Sequence, residues 1–326
     1  MGAARTMAAA GLLAMLVAGA ATGAPPHSEA TMNAVDRYIA GFQRGEGFSS
    51  PPGDLISQGR PDPTALNRLA NALSTEDAPV REGIVDLLAD LAIQTDPVVH
   101  QGAAAIRDPR IIGILAEQGM DRPDQGRSAA MDALRTSTPG ALLAPYADRF
   151  AELLAERPSD TALLLVAKAK AMPARTTVAD LAASPSWKDA EAVKIARAAL
   201  GDGAAERALA AALGNAVDGE ALASAAGPAG MAGTPGLLRL LGEQLRTPLE
   251  IEKPGVYVMS ARLPVLDALR YNFPAEPSLY RNNVNSDEDY ARAERFVTQQ
   301  LGVRFTTPRP PYLKIMAFPT GITPRP

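Results

Sequence analysis

Residues 77–91 read DAPVREGIVDLLADL. Asp77 followed by Pro79 is how a helix starts: the acid suits the N-cap, and proline's missing N–H costs nothing in the first turn. Behind that start, Val80, Ile84, Leu87, Leu88 and Leu91 fall at i, i+4, i+7, i+8 and i+11, a single apolar stripe on a helix. Leu237, Leu238, Leu241 and Leu245 repeat the pattern far downstream.

Working outward, helix breakers recur at near-regular intervals: Asp96 and Pro97, Asp108 and Pro109, Pro123 and Asp124, Pro139 and Gly140, Pro158 to Asp160, Ser184 and Pro185, Gly201 to Gly203, Thr234 and Pro235. Between residues 63 and 246 about one residue in four is Ala, and the aromatics are only Tyr146, Phe150 and Trp187. Alanine and leucine are strong helix formers, and small side chains let helices approach closely. The spacing predicts about ten or eleven helices of roughly 10–15 residues, on loops short enough to force antiparallel neighbours. With strand signals nearly absent, parallel-sheet folds are excluded, and no glycine-rich phosphate loop follows a strand.

The same stretch has a partial echo. Asp124 to Leu134 repeats the aspartate, arginine and alanine/leucine arrangement around Arg127, and Asp108 to Leu115 reads as the first helix of the pair between them. Asp77 to Leu91 resembles the second helix of a HEAT repeat, and residues 60–250 are similar in pattern to an array of such repeats. The resemblance implies an all-α fold, a right-handed superhelix of antiparallel helix pairs. It implies a structural ladder through Asp77, Arg81, Asp124 and Arg127, and a concave face that holds a protein partner without any particular chemistry.

Both ends differ from this middle. Arg5, an apolar run from Met7 to Ala21 and small residues ending at Ala24 have the order of a cleaved export signal, and that run is shorter than the roughly 18 residues a membrane span requires. An exported, periplasmic or secreted chain is expected. Residues 25–62 form a Pro/Gly-rich leader with one short helix through Val35, Tyr38, Ile39 and Phe42. After residue 250 the composition turns: the last 76 residues hold nine of the fifteen aromatics and six alanines. The expected organisation is a signal at 1–24, a leader at 25–62, helical repeats at 63–250 and a mixed, aromatic-rich cap at 251–326. Tyr and Arg anchor interfaces more than most side chains, which makes Arg262, Arg270, Tyr271, Tyr280, Arg281 and Tyr312 the candidate partner-binding residues. Asn283, Asn285, Asp287, Asp289 and Glu294 match the spacing of a calcium loop, but Glu288 stands where the turn requires Gly, so an acidic first helical turn is the better reading.

Composition narrows the chemistry. Of 326 residues none is Cys and two are His, which excludes disulfides, thiolate nucleophiles and Cys-bound metals. His27 lies in the leader, leaving His100 alone for any triad. A net charge of −4, with basic residues dispersed among acids, argues against nucleic acid. No catalytic residue, cofactor or metal is called for. The expected function is a non-enzymatic scaffold, adaptor or inhibitor that binds a protein partner; the alternative is an envelope polysaccharide or peptidoglycan hydrolase using Asp/Glu catalysis.

Overall fold

Aspartate caps organise the helix starts. Asp62 accepts from Thr64 N at 2.8 Å and Ala65 N at 3.3 Å, and Asp108, Asp124, Asp202 and Asp218 cap four further helices in the same way. Ser159 and Thr234 do so with hydroxyls. Proline sits in the first turn of the helices beginning at Ala78, Pro109 and Pro235, as the breaker pattern predicts, and also of the helix beginning at Pro63. A computed structural model describes residues 27–48, 53–97, 105–253, 257–280, 287–310 and 316–317. The segment read as an export signal lies outside them.

The protein is all-α. Its helices are α1 (His27–Gln43), α2 (Pro63–Thr75), α3 (Ala78–Gln94), α4 (Pro109–Glu117), α5 (Gln125–Ser137), α6 (Gly140–Leu143), α7 (Ala147–Glu156) and α8 (Asp160–Ala169). There follow α9 (Arg175–Ala183), α10 (Glu191–Ala199), α11 (Gly203–Gly214), α12 (Gly219–Ala232), α13 (Pro235–Glu243), α14 (Arg262–Asn272) and α15 (Asp287–Leu301). They pair in sequence, α2 with α3, α4 with α5, α7 with α8, α9 with α10, α11 with α12 and α13 with α14. The second members form one continuous row, α3, α5, α8, α10, α12 and α14, each packed on the next. Helix α1 covers the open end at α2 and α3, and α15 packs on α13 at the other. A single apolar core runs through the whole stack, and α8 is buried along most of its length.

Close approach is what the small residues permit. A Cβ on Gly230 would lie 2.7 Å from Ala268, where α12 meets α14. One on Gly219 would lie 2.1 Å from the Glu250 carbonyl oxygen. Gly219→Ala is therefore expected to cost at least about 2 kcal/mol, because backbone and not a flexible side chain must yield; a lowered urea midpoint measures it.

Two small antiparallel sheets complete the described residues. In the first, β1 (Ile56–Ser57) pairs with β2 (Arg60–Pro61) around Gln58 and Gly59, both at positive φ (52° and 72°). Left-handed conformation at both central residues is the hairpin turn whose twist matches the strands. In the second, β3 (Glu250–Lys253) pairs with β4 (Tyr257–Ser260), and β5 (Met316–Ala317) adds to β4. The sequence reads as extended at 256–259 and as a strand within 313–318, where β4 and β5 lie; β1, β2 and β3 were not among the elements expected from it, because pieces of two to four residues leave no readable alternation.

Candidate functional site

Four elements meet at the N-terminal end of the stack: the β1–β2 turn, the start of α2, the end of α3 and the start of α4. Between them opens a cleft of about 940 Å³, lined among others by Gln58, Arg60, Asp96, Arg107 and Arg110. Gln58 is one of two non-glycine residues at positive φ among the described residues, so the turn that forms this wall is held in a conformation most side chains avoid.

The charges are arranged in pairs with one left over. Arg110 Nη2 lies 2.8 Å from Asp108 Oδ2, and Asp108 also accepts the Arg110 backbone N–H at 2.9 Å as the cap of α4. Burial pushes the Asp108 carboxyl up, but the bonds from Arg110 outweigh it and hold it below the ordinary range. Asp96 is buried, accepts from Ala105 N at 2.9 Å and has Arg107 Nε at 3.4 Å. Arg107 also donates to the Ala275 carbonyl at 2.9 Å, 168 residues away. Arg60 is exposed and makes no ion pair among the described residues. Three arginines thus face two carboxylates, and the wall offers guanidinium donors and turn backbone: groups suited to hold a polar chain. Among the described residues no group of three His, Asp or Glu is placed to hold a metal.

No model of a known protein family matches the chain. No curated protein is significantly similar to it either.

The ladder residues separate. Arg81 is 0% exposed and reaches from α3 to the next pair, with Nη2 2.9 Å from Asp121 Oδ1 and Nε 2.9 Å from Asp124 Oδ2. It also donates to the Gly119 carbonyl at 3.2 Å. Arg127 joins α5 to the end of α7 through Glu156 at 3.0 Å and holds the Arg122 carbonyl at 3.0 Å. Asp77 begins α3, but its side chain makes no capping bond and is exposed. Asp121, in a turn without motif signal, takes the place given to Asp77.

The candidate interface residues are largely consumed inside the protein. Arg262 is 1% exposed: its guanidinium lies 4.3 Å from the buried Tyr290 ring, and Nε donates to Ser260 Oγ at 2.9 Å. It fastens α14 to α15 and is not a surface anchor. Arg270 stacks on Tyr280 at 4.4 Å and pairs with Asp267 at 2.7 Å, while the Tyr280 hydroxyl donates to the Pro274 carbonyl at 2.7 Å. Tyr271 sits beneath the Lys168 amine, 4.2 Å from its ring centroid, and burial pushes its hydroxyl up to about 12 against the opposing pull of Arg135. Arg281, Tyr312, His100, Asn283 and Asn285 lie outside the described residues. Asp287, Glu288 and Asp289 do form the acidic first turn of α15.

Sequence reasoning passed over two cationic groups. Lys168 is 6% exposed, donates its amine to the Arg135 carbonyl, and is lowered to about 7 by burial, with Arg135 adding to the effect. Lys170, at φ 52°, donates to the Ala232 carbonyl and is lowered to about 8 by burial, with Glu206 opposing. Both amines close the carbonyl ends of inner-row helices, where the backbone lacks its own donors. Lys170 ends α8 in left-handed backbone, where glycine usually stands, and a lysine there carries no such signal in sequence.

Proposed function

We propose that this chain is an exported, non-enzymatic helical-repeat protein of HEAT type, a right-handed superhelical stack that binds a protein partner. The serial pairing of helices supports the reading, as does Arg81 bridging from one pair to the aspartate that caps the second helix of the next. A stack in which each unit buries only its neighbours leaves extended surface for recognition. The observation that carries the reading is the cleft of about 940 Å³ at the β1–β2 turn, open to solvent and lined by arginines and turn backbone. Arg262, Arg270, Tyr271 and Tyr280 are engaged within the fold, so the partner contacts are assigned to this cleft rather than to them.

A photo-crosslinking residue in place of Gln58 tests this in intact cells. One discrete protein adduct is expected, reduced about tenfold by Arg60→Glu, the equivalent of roughly 1.4 kcal/mol, with none from a crosslinker at Glu152 on the outer face. Polymer hydrolysis by the purified chain, abolished by a single Asp or Glu substitution, would overturn the proposal in favour of an envelope hydrolase.

A further inference from the structure

The opposite end of the stack carries an opening of different character, independent of the reading above. The chain leaves α13 through a turn at Gln244–Arg246, and after α15 residues 302–310 return past both helices. A cavity of about 300 Å³ lies among them, lined by Arg246, Glu294, Arg295, Phe305 and Arg309 with polar neighbours from α15.

Its centre is Glu294, whose side chain is 5% exposed. It accepts from Arg246 Nη2 at 2.9 Å and from Arg309 Nε and Nη2 at 2.9 and 2.8 Å. Burial alone would push this carboxyl up; the two guanidinium groups prevail and hold it below the ordinary range. Arg246 is further fixed by lying over the Phe305 ring, 4.2 Å from its centroid, and by donating to the Thr307 carbonyl. Charge nonetheless does not close. Three arginines surround one carboxylate, with Asp287 a more distant acid on the Arg309 side. Arg295 is exposed, beside Glu294 in sequence, and makes no ion pair among the described residues. The Arg246 Nε is buried without an acceptor. Guanidinium forks preset by a buried carboxylate and an aromatic face lose little freedom when an oxyanion arrives.

We propose that this cavity binds a phosphate-type oxyanion, held by Arg246, Arg295 and Arg309 around Glu294. A surplus of two positive charges favours a dianion over a carboxylate, and the volume admits a phosphate or a small phosphate monoester. Titration calorimetry of the full chain at fixed ionic strength tests this with inorganic phosphate, glycerol phosphate and acetate. Saturable binding of phosphate is expected, with acetate weaker. Glycerol phosphate binding tighter than phosphate would assign the group to an ester, and equal binding to the free ion. Arg295→Ala, which removes an exposed and unpaired side chain, should weaken binding at least about fivefold with unchanged circular dichroism. No saturable heat with either phosphate, a response equal to that of acetate, or an undiminished response in Arg295→Ala would overturn the proposal.

Discussion

Arg81→Met is expected to lower the unfolding free energy by about 3–5 kcal/mol, because it strands two carboxylates built around one buried cation. Arg81 is fully buried where α3 crosses to the α4–α5 pair, with Asp121 and Asp124 each 2.9 Å away. Methionine would fill much of the volume, so the loss is electrostatic more than a cavity. Asp124 has a second duty as the cap of α5, accepting from Arg127 N at 3.2 Å. Without Arg81 its nearest cation is Arg122, 3.8 Å away and two-fifths exposed. The carbonyls of Gln118 and Gly119 lose a donor in the same step. Asp121 is 39% exposed, and Asp121→Asn should cost only about 1 kcal/mol, since water screens that half of the network. Urea unfolding of the two variants separates the contributions; a loss below about 1 kcal/mol for Arg81→Met would mean the bridge carries no stability.

The contrast between Asp77 and Asp121 shows where sequence reading succeeds and stops. Periodicity placed Val80, Ile84, Leu87, Leu88 and Leu91 on one face, and all five are buried, because a helix face is fixed by local geometry alone. Cap chemistry is equally local, and Asp108, Asp124, Asp202 and Thr234 cap the helices whose starts the breakers mark. Which acid meets Arg81 depends instead on how one helix pair settles on the next, and that is not encoded within fifteen residues. The C-terminal aromatics were ambiguous for another reason. A Tyr beside an Arg has the same composition whether the pair faces a partner or stacks internally, and Arg262 over Tyr290 is the internal case. The cleft was illegible because its walls come from three helices and a two-residue turn. Its strained corner, Gln58 before Gly59, reads only as a loop.

Lys168 should make the stability of the fold depend on pH between about 7 and 10.5. Its amine donates to the Arg135 carbonyl and rests on the Tyr271 ring, and burial lowers its pKa from 10.5 to about 7. Within that interval the unfolded chain holds the proton and the folded chain does not, so stability rises with pH. The contribution is complete above the unfolded value, is lost as pH falls towards 7, and changes no further below it. Tyr271 works in the other direction at higher pH: with its hydroxyl raised to about 12, its contribution is present below 10 and lost above. The window from pH 7 to 9.5 therefore separates the buried amines from Tyr271, and a gain on the order of 3 kcal/mol from Lys168 is expected across it. Lys170, lowered to about 8, adds to the same slope. Lys168→Met should remove most of the gradient while Tyr271→Phe, which keeps the ring, should leave it intact below pH 9.5. Equal gradients in wild type and Lys168→Met would show that the amine is solvated in solution. The lysine joins α5, α8 and α14, so the gradient would also report how tightly the C-terminal segment is held against the middle of the stack. That same segment reaches the cleft through the bond from Arg107 to the Ala275 carbonyl.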